Sequence, residues 1–118
     1  MFQALVTWLK RAFLGPLPNG TQYSATVVDS RAGAITVIKE DLYAICIVAK
    51  AGHPKWAMFR CPCRCGQTIE LNLMSSQSPY WQVGLRSENQ LSLHPSIDST
   101  TCGAHFWVRD GRLTWAAE

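Results

Sequence analysis

Apolar residues along this chain come in short runs, and the clearest of them alternate with polar residues. Ile69, Leu71 and Leu73 are separated by Glu70 and Asn72. A period of two predicts a strand over residues 68–74 with one buried face. WAMFRC (56–61) predicts the strand before it, and the two read as a hairpin whose tip carries a group of cysteines. DLYAICIVA (41–49) is apolar almost throughout, as a central strand is. Cys46 inside it reads as a small buried hydrophobe. The β-branched runs TVV (26–28) and AITVI (34–38), split by DSRAGA, predict two more strands. AKAGHPK is read as a loop that leaves His53 exposed. YWQVGLR (80–86) and QLSLHP (90–95) predict a hairpin closed by SEN. In HFWVRDGRLTWA, Asp110-Gly111 is a two-residue hairpin turn of type I′. That turn pairs Arg109 with Arg112, Val108 with Leu113, Trp107 with Thr114 and Phe106 with Trp115. It puts His105, Trp107 and Arg109 on the face away from the apolar one.

The period changes at the N-terminus. Phe2, Leu5, Val6, Leu9 and Phe13 fall on one helical face, and Gly15-Pro16 stops the helix. No basic segment precedes these residues, Lys10 and Arg11 interrupt them, and the run is too short to span a bilayer. The expected architecture is mainly β (α+β): an N-terminal helical arm over residues 1–16 and a small antiparallel β domain over 21–118.

The length of 118 residues suits one compact domain, and 47% hydrophobic with 16% charged residues is a globular balance. The formal net charge is +3, from basic residues scattered along the chain rather than gathered on one element. Nothing in that distribution asks for nucleic acid. Five cysteines, three of them packed into residues 61–65, suit a disulfide framework poorly. Thiolate–metal bonds in a reducing compartment, the cytoplasm, explain the count better.

The cluster is FRCPCRCGQTIELNL (59–73), with Cys61, Cys63 and Cys65 at every second position. Zinc takes four ligands in a tetrahedron and prefers thiolate and imidazole. Proline and glycine shape a turn that offers thiols, and Cys102-Gly-Ala-His105 is the remaining element able to close the site. Two ligand sets stay open. One is Cys61, Cys65, Cys102 and His105. The other is Cys61, Cys63, Cys65 and Cys102, with His105 free. The thiol-rich donor set, without carboxylates, favours a closed structural zinc site over a catalytic one. A zinc-ribbon knuckle has two residues between its cysteines, and this chain has one or three.

A second constellation follows. LSLHPSID (91–98) ends a predicted strand with His94-Pro95-Ser96. Proline is expected to end the ladder and present Ser96 at a turn. A nucleophilic serine needs a base within hydrogen-bond reach. If the last hairpin lies beside strand 91–94, Ser96 and His105 can meet, with Cys102 holding the loop between them. Asp98 and Asp110 are available carboxylates. Should His105 ligate the metal instead, His94 is the next candidate base.

These motifs resemble a known family. FRCPCRCGQTIELNL, a short hairpin, LSLHPSI and CGAHFWVRDGRLTW, led in by DLYAICIVAKAGHPKWAMFRCPC, are similar in order to the DUF6527 family of small bacterial proteins. The resemblance covers residues 41–116. Members often carry CPCGCG, where this chain has Arg64 in place of a glycine. The resemblance implies a bacterial operon that also encodes a ubiquitin-like protein with E1-like and E2-like enzymes, and a part in antiviral defence. It implies a peptidase that matures the ubiquitin-like protein or removes it from conjugates. It places the nucleophile at Ser96, the histidine at His105, and the zinc ligands at Cys61, Cys63, Cys65 and Cys102.

Two other readings of the residues remain. A non-catalytic zinc module would bind the ubiquitin-like protein or its E1-like and E2-like enzymes through Trp81, Trp107 and the N-terminal helix. A zinc-dependent hydrolase would use Cys61, Cys65 and His105 with an open metal position.

Overall fold

A computed structural model of the chain describes residues 15–116. The helix expected in the N-terminal arm lies outside the described residues. Within them the order is β1 (Ser24–Val28), α1 (Arg31–Glu40), β2 (Ala44–Lys50), β3 (His53–Arg60), β4 (Thr68–Asn72), β5 (Gln82–Leu85), β6 (Leu91–Asp98), β7 (His105–Arg109) and β8 (Arg112–Trp115). The strands form two sheets, ordered β1-β2-β3-β4 and β5-β6-β7-β8. The domain is mainly β, as the alternation predicted.

The sheets pack face to face over one apolar core. Ile45, Ile47, Phe59 and Leu71 come from the first sheet, and Leu91, Leu93, Ile97, Phe106 and Val108 from the second. Aromatic edges join them: Phe59 meets Phe106 at 6.1 Å and Tyr23 at 6.2 Å between ring centroids. Cys46 is fully buried on the opposite face of the first sheet, beneath α1, with Ala34, Ile38, Val48 and Met58. It packs there as a hydrophobe and stands apart from the other cysteines.

Three expectations are corrected. AITVI is helical, not a strand. Ser30 caps the helix by accepting a hydrogen bond from the Gly33 N–H at 3.0 Å, and Ala34 and Ile38, one turn apart, pack on the sheet. The helix is required because β1 and β2 run parallel, and parallel neighbours need a crossover rather than a hairpin turn. The sheet is therefore not wholly antiparallel. His53 and Pro54 belong to β3, not to a loop; the turn is Ala51-Gly52, both at positive φ, and a bulge at Val48/Ala49 accommodates the proline. Finally, Pro95 does not end the ladder. β6 continues through Ser96 to Asp98, with a register shift between Leu93 and Ile97 that sets Ser96 in a bulge.

The terminal hairpin pairs as expected, Arg109 with Arg112 through Phe106 with Trp115. Asp110 and Gly111 have φ of 49° and 77°, the left-handed pair a type I′ turn needs.

Candidate active site and thiol cluster

The β3–β4 turn and the β6–β7 loop meet at one end of the two sheets. Cys61 follows β3, and its N–H donates to the Gln67 carbonyl at 2.9 Å. The turn folds back between them, with the Arg64 N–H donating to the Cys61 carbonyl at 3.0 Å. Arg64 holds φ of 67° and Gly66 of 90°. A left-handed backbone is the conformation that favours glycine, so the arginine bears a steric cost at this corner.

Cys102 comes from the β6–β7 loop of the other sheet. Its Sγ lies 3.5 Å from that of Cys61, which in turn lies 3.3 Å from that of Cys63. The sulfurs of Cys61, Cys63, Cys65 and Cys102 all lie within 4.8 Å of one another, a cluster that can hold a metal ion. All are free thiols rather than disulfides. Burial pushes the Cys61 and Cys63 thiols up. Cys102 is drawn down to about 6, first by the Ser99 hydroxyl and then by the Ala104 N–H and the neighbouring thiols, against some burial. The Ser99 Oγ sits 3.4 Å from the Cys102 sulfur. Ser99 was not singled out in the sequence; a serine three residues before a candidate ligand is the signal that could have found it.

His105 is not part of this cluster. It opens β7, opposite Asp98 in the ladder, and its Nε2 lies 3.0 Å from the Ser96 Oγ. The bulge produces this contact. β6 spends three residues, His94, Pro95 and Ser96, where β7 spends only Trp107, and this offsets Ser96 toward the histidine. The hairpin between them is fixed by two backbone bonds, Ser99 N–H to the Ala104 carbonyl at 2.7 Å and Gly103 N–H to the Ser99 carbonyl at 2.8 Å. On the same outer face the His105 ring lies 5.7 Å from the Trp107 ring, and the Arg109 guanidinium stands 4.8 Å over that tryptophan.

Trp81 holds the other side of the nucleophile. Its Nε1–H donates to the Ser96 carbonyl at 3.2 Å, and its own N–H donates to the Asn72 carbonyl of β4 at 2.8 Å. The sequence marked Trp81 as a contact aromatic; the structure makes it a brace between β4 and the bulge. His94 stands apart from His105. It lines a separate cleft of about 640 Å³ with Pro54, Leu73, Tyr80 and Trp81. No hydrogen bond joins Asp98 to His105, and Asp110 lies at the far end of the hairpin, paired with Arg86 at 3.6 Å.

The structure thus sets a serine hydroxyl on an imidazole, on two packed sheets beside a thiol cluster that can hold a metal ion, and a hydroxyl within reach of a base is what a hydroxyl-nucleophile hydrolase requires. The family comparison agrees in kind. Residues 31–116 match the family described as bacterial ubiquitination-like system serine protease (BubE), and the chain belongs to that family. No curated protein and no solved structure matches the chain. No helix among the described residues is long and apolar enough to cross a membrane.

Proposed function

We propose that this protein is a serine peptidase that cuts after the C-terminal, glycine-like residue of a bacterial ubiquitin-like protein, maturing it or releasing it from conjugates. The observation that carries the reading is the 3.0 Å approach of Ser96 Oγ to His105 Nε2, in a chain whose family is named for a serine protease. With Nε2 unprotonated, His105 accepts the hydroxyl proton as Ser96 adds to the substrate carbonyl. The C–N bond then breaks, and His105 returns the proton to the leaving amine. In the second half His105 takes a proton from water, the hydroxide adds to the acyl carbon, and Ser96 leaves with the proton from His105. Asp98, across the ladder from His105, stabilises the imidazolium through space rather than through a hydrogen bond.

Zinc fits the thiol cluster. A tetrahedron with Zn–S bonds of about 2.3 Å has edges of about 3.8 Å. The sulfur pairs here run from 3.3 Å to at most 4.8 Å. Cys61, Cys63, Cys65 and Cys102 would hold it with no position left open. When bound, the ion supplies a cross-link between the sheets and favours thiolate at all four ligands. His105, turned to Ser96, stays available as the base.

The test is native mass spectrometry before and after a fluorophosphonate probe, paired with cleavage of a C-terminally extended ubiquitin-like protein. The expected result is one zinc per chain and an adduct on Ser96 that disappears in His105→Ala. One zinc with no adduct, while the probe labels a control hydrolase, overturns the serine mechanism. Cleavage that then continues but stops on chelation in folded protein marks a zinc-dependent hydrolase. Binding without cleavage marks a non-catalytic module.

A further inference from the structure

Beside the serine lies a groove whose walls are two short stretches of chain. One wall is Gln67 to Leu71, the residue before β4 and the first four residues of that strand. The other is Ile97 to Thr101, the end of β6 and the start of its loop. Trp81 stands at the end nearest Ser96 and Asn72, and the cavity measures about 230 Å³. Thr68, Ser99, Thr100 and Thr101 line it with short polar side chains, beside Glu70 and Asp98.

The β4 wall is an open ladder edge. Among the described residues β4 pairs with β3 alone. The direction of its backbone groups can be read from its ends. The Gln67 carbonyl and the Leu73 N–H bond to the β3 side, at Cys61 and Lys55, while the Asn72 carbonyl turns outward to the Trp81 N–H. Backbone groups of an antiparallel strand alternate sides with a period of two. Thr68 and Glu70 therefore turn their N–H and C=O groups outward, into the groove. The facing wall is open too: β5 covers β6 only as far as His94, which pairs with Gln82. Ile97 borders the groove, and the next residue back is Ser96.

We propose that the groove binds the substrate's C-terminal tail as an added strand on β4, with Thr68 and Glu70 supplying main-chain hydrogen bonds. The tail is an extended peptide of about five residues, small at the end that meets Ser96. Extended binding brings its terminal carbonyl to Ser96 past Trp81, and the narrow walls select glycine over branched residues there. This rests on the peptidase reading above and adds its mode of recognition.

Binding is tested apart from catalysis, in full-length Ser96→Ala protein, by fluorescence anisotropy of a labelled Val-Thr-Val-Gly-Gly peptide. Amide exchange with and without the peptide is followed in the same protein. The expected result is new protection at Thr68 and Glu70, with Ile69 and Leu71 already protected by β3. Thr68→Pro removes one outward N–H and no β3 bond, and weakens binding about tenfold relative to Thr68→Ala. Thr100→Trp fills the groove, weakens binding by at least as much, and serves if the proline variant does not fold. Replacing both glycines of the peptide with valine abolishes binding. Unchanged exchange at Thr68 and Glu70, or equal affinity for the filled groove, overturns the proposal. Fluorophosphonate labelling of Ser96 in the wild-type protein is scored separately. A reactive serine with no peptide protection sinks the groove alone, and an inert serine sinks the peptidase reading.

Discussion

Cys102 Sγ lies 3.5 Å from Cys61 Sγ, although Cys61 follows a strand of one sheet and Cys102 sits in a loop between two strands of the other. A metal held there ties the β3–β4 turn to the β6–β7 loop. Three residues after Cys102 the chain reaches His105, so the same tie fixes the loop that carries the proposed base. Cys102→Ser is expected to lose the metal and to destabilise the domain by more than about 4 kcal/mol, beyond the ordinary range for a point substitution. Metal analysis with chemical denaturation measures both. A protein that keeps its metal, or unfolds with an unchanged midpoint, would show that the cluster does not staple the sheets.

In the proposed mechanism Ser96 and His105 act on one proton, so their removal should not be additive. Ser96→Ala and His105→Asn are each expected to lower kcat by about 10³-fold or more, and the double variant by no more than the worse single one. Both residues lie outside the apolar core, so unfolding midpoints should hardly move. Asp98→Asn should cost far less, about tenfold in kcat, because no hydrogen bond ties that carboxylate to the ring. Single-turnover kinetics on a tail-extended substrate decides. A drop of 10³-fold at Asp98 would promote it to an orienting role that the observed geometry does not give it.

Trp81 offers a sharper test of positioning. Trp81→Phe keeps an aromatic ring between β4 and the bulge but deletes the N–H that reaches the Ser96 carbonyl at 3.2 Å. One lost hydrogen bond of about 1 kcal/mol should lower kcat about fivefold. Fluorophosphonate labelling should slow by the same factor, since the probe needs only the nucleophile. Slower cleavage with unchanged labelling would place the tryptophan in substrate binding alone.

Much of this molecule was legible in its residues, and the failures share a cause. Alternation placed β4, β6 and the terminal hairpin, and Asp110-Gly111 gave the hairpin register residue by residue. Ile35, Thr36, Val37 and Ile38 look like a strand because β-branched residues favour one locally. The parallel pairing of β1 and β2, a tertiary fact, makes them a helix, and Ser30 with the Ala34/Ile38 spacing is the local trace of it. The segment with Pro54 reads as a loop and Pro95 as the end of a ladder, whereas bulges let both strands pass through these prolines. The site divides the same way. The cysteine spacing announced a thiol cluster but left its fourth ligand open, because Cys63 and His105 are both near enough in sequence. The approach of Ser96 to His105 depends on a bulge two residues deep, which no periodicity records.

The terminal hairpin also contains a residue whose identity is set by packing as well as by turn geometry. Gly111 has φ of 77°, and a Cβ built there would fall 2.0 Å from the Asn89 carbonyl oxygen and 2.5 Å from Gln22 Nε2. Its backbone is bonded on both sides: its N–H donates to the Leu91 carbonyl at 2.7 Å, and its carbonyl accepts from the Tyr23 N–H at 2.7 Å. The turn thus joins the segment before β1 to the β5–β6 loop and to β6, the strand that carries Ser96. A methyl group cannot be accommodated by a side-chain rotation, because the nearest atom is backbone. Gly111→Ala is expected to destabilise the domain by about 3 kcal/mol, through a clash added to the left-handed strain. Asp110→Asn, at a position where φ of 49° suits asparagine, should be near neutral. Denaturant midpoints of the two variants test the pair, and activity measured well below the Gly111→Ala midpoint should be reduced with them if the hairpin sets β7 against β6. Equal midpoints would mean that the loop at Asn89 yields freely and that the turn is not a fixed anchor of the sheet.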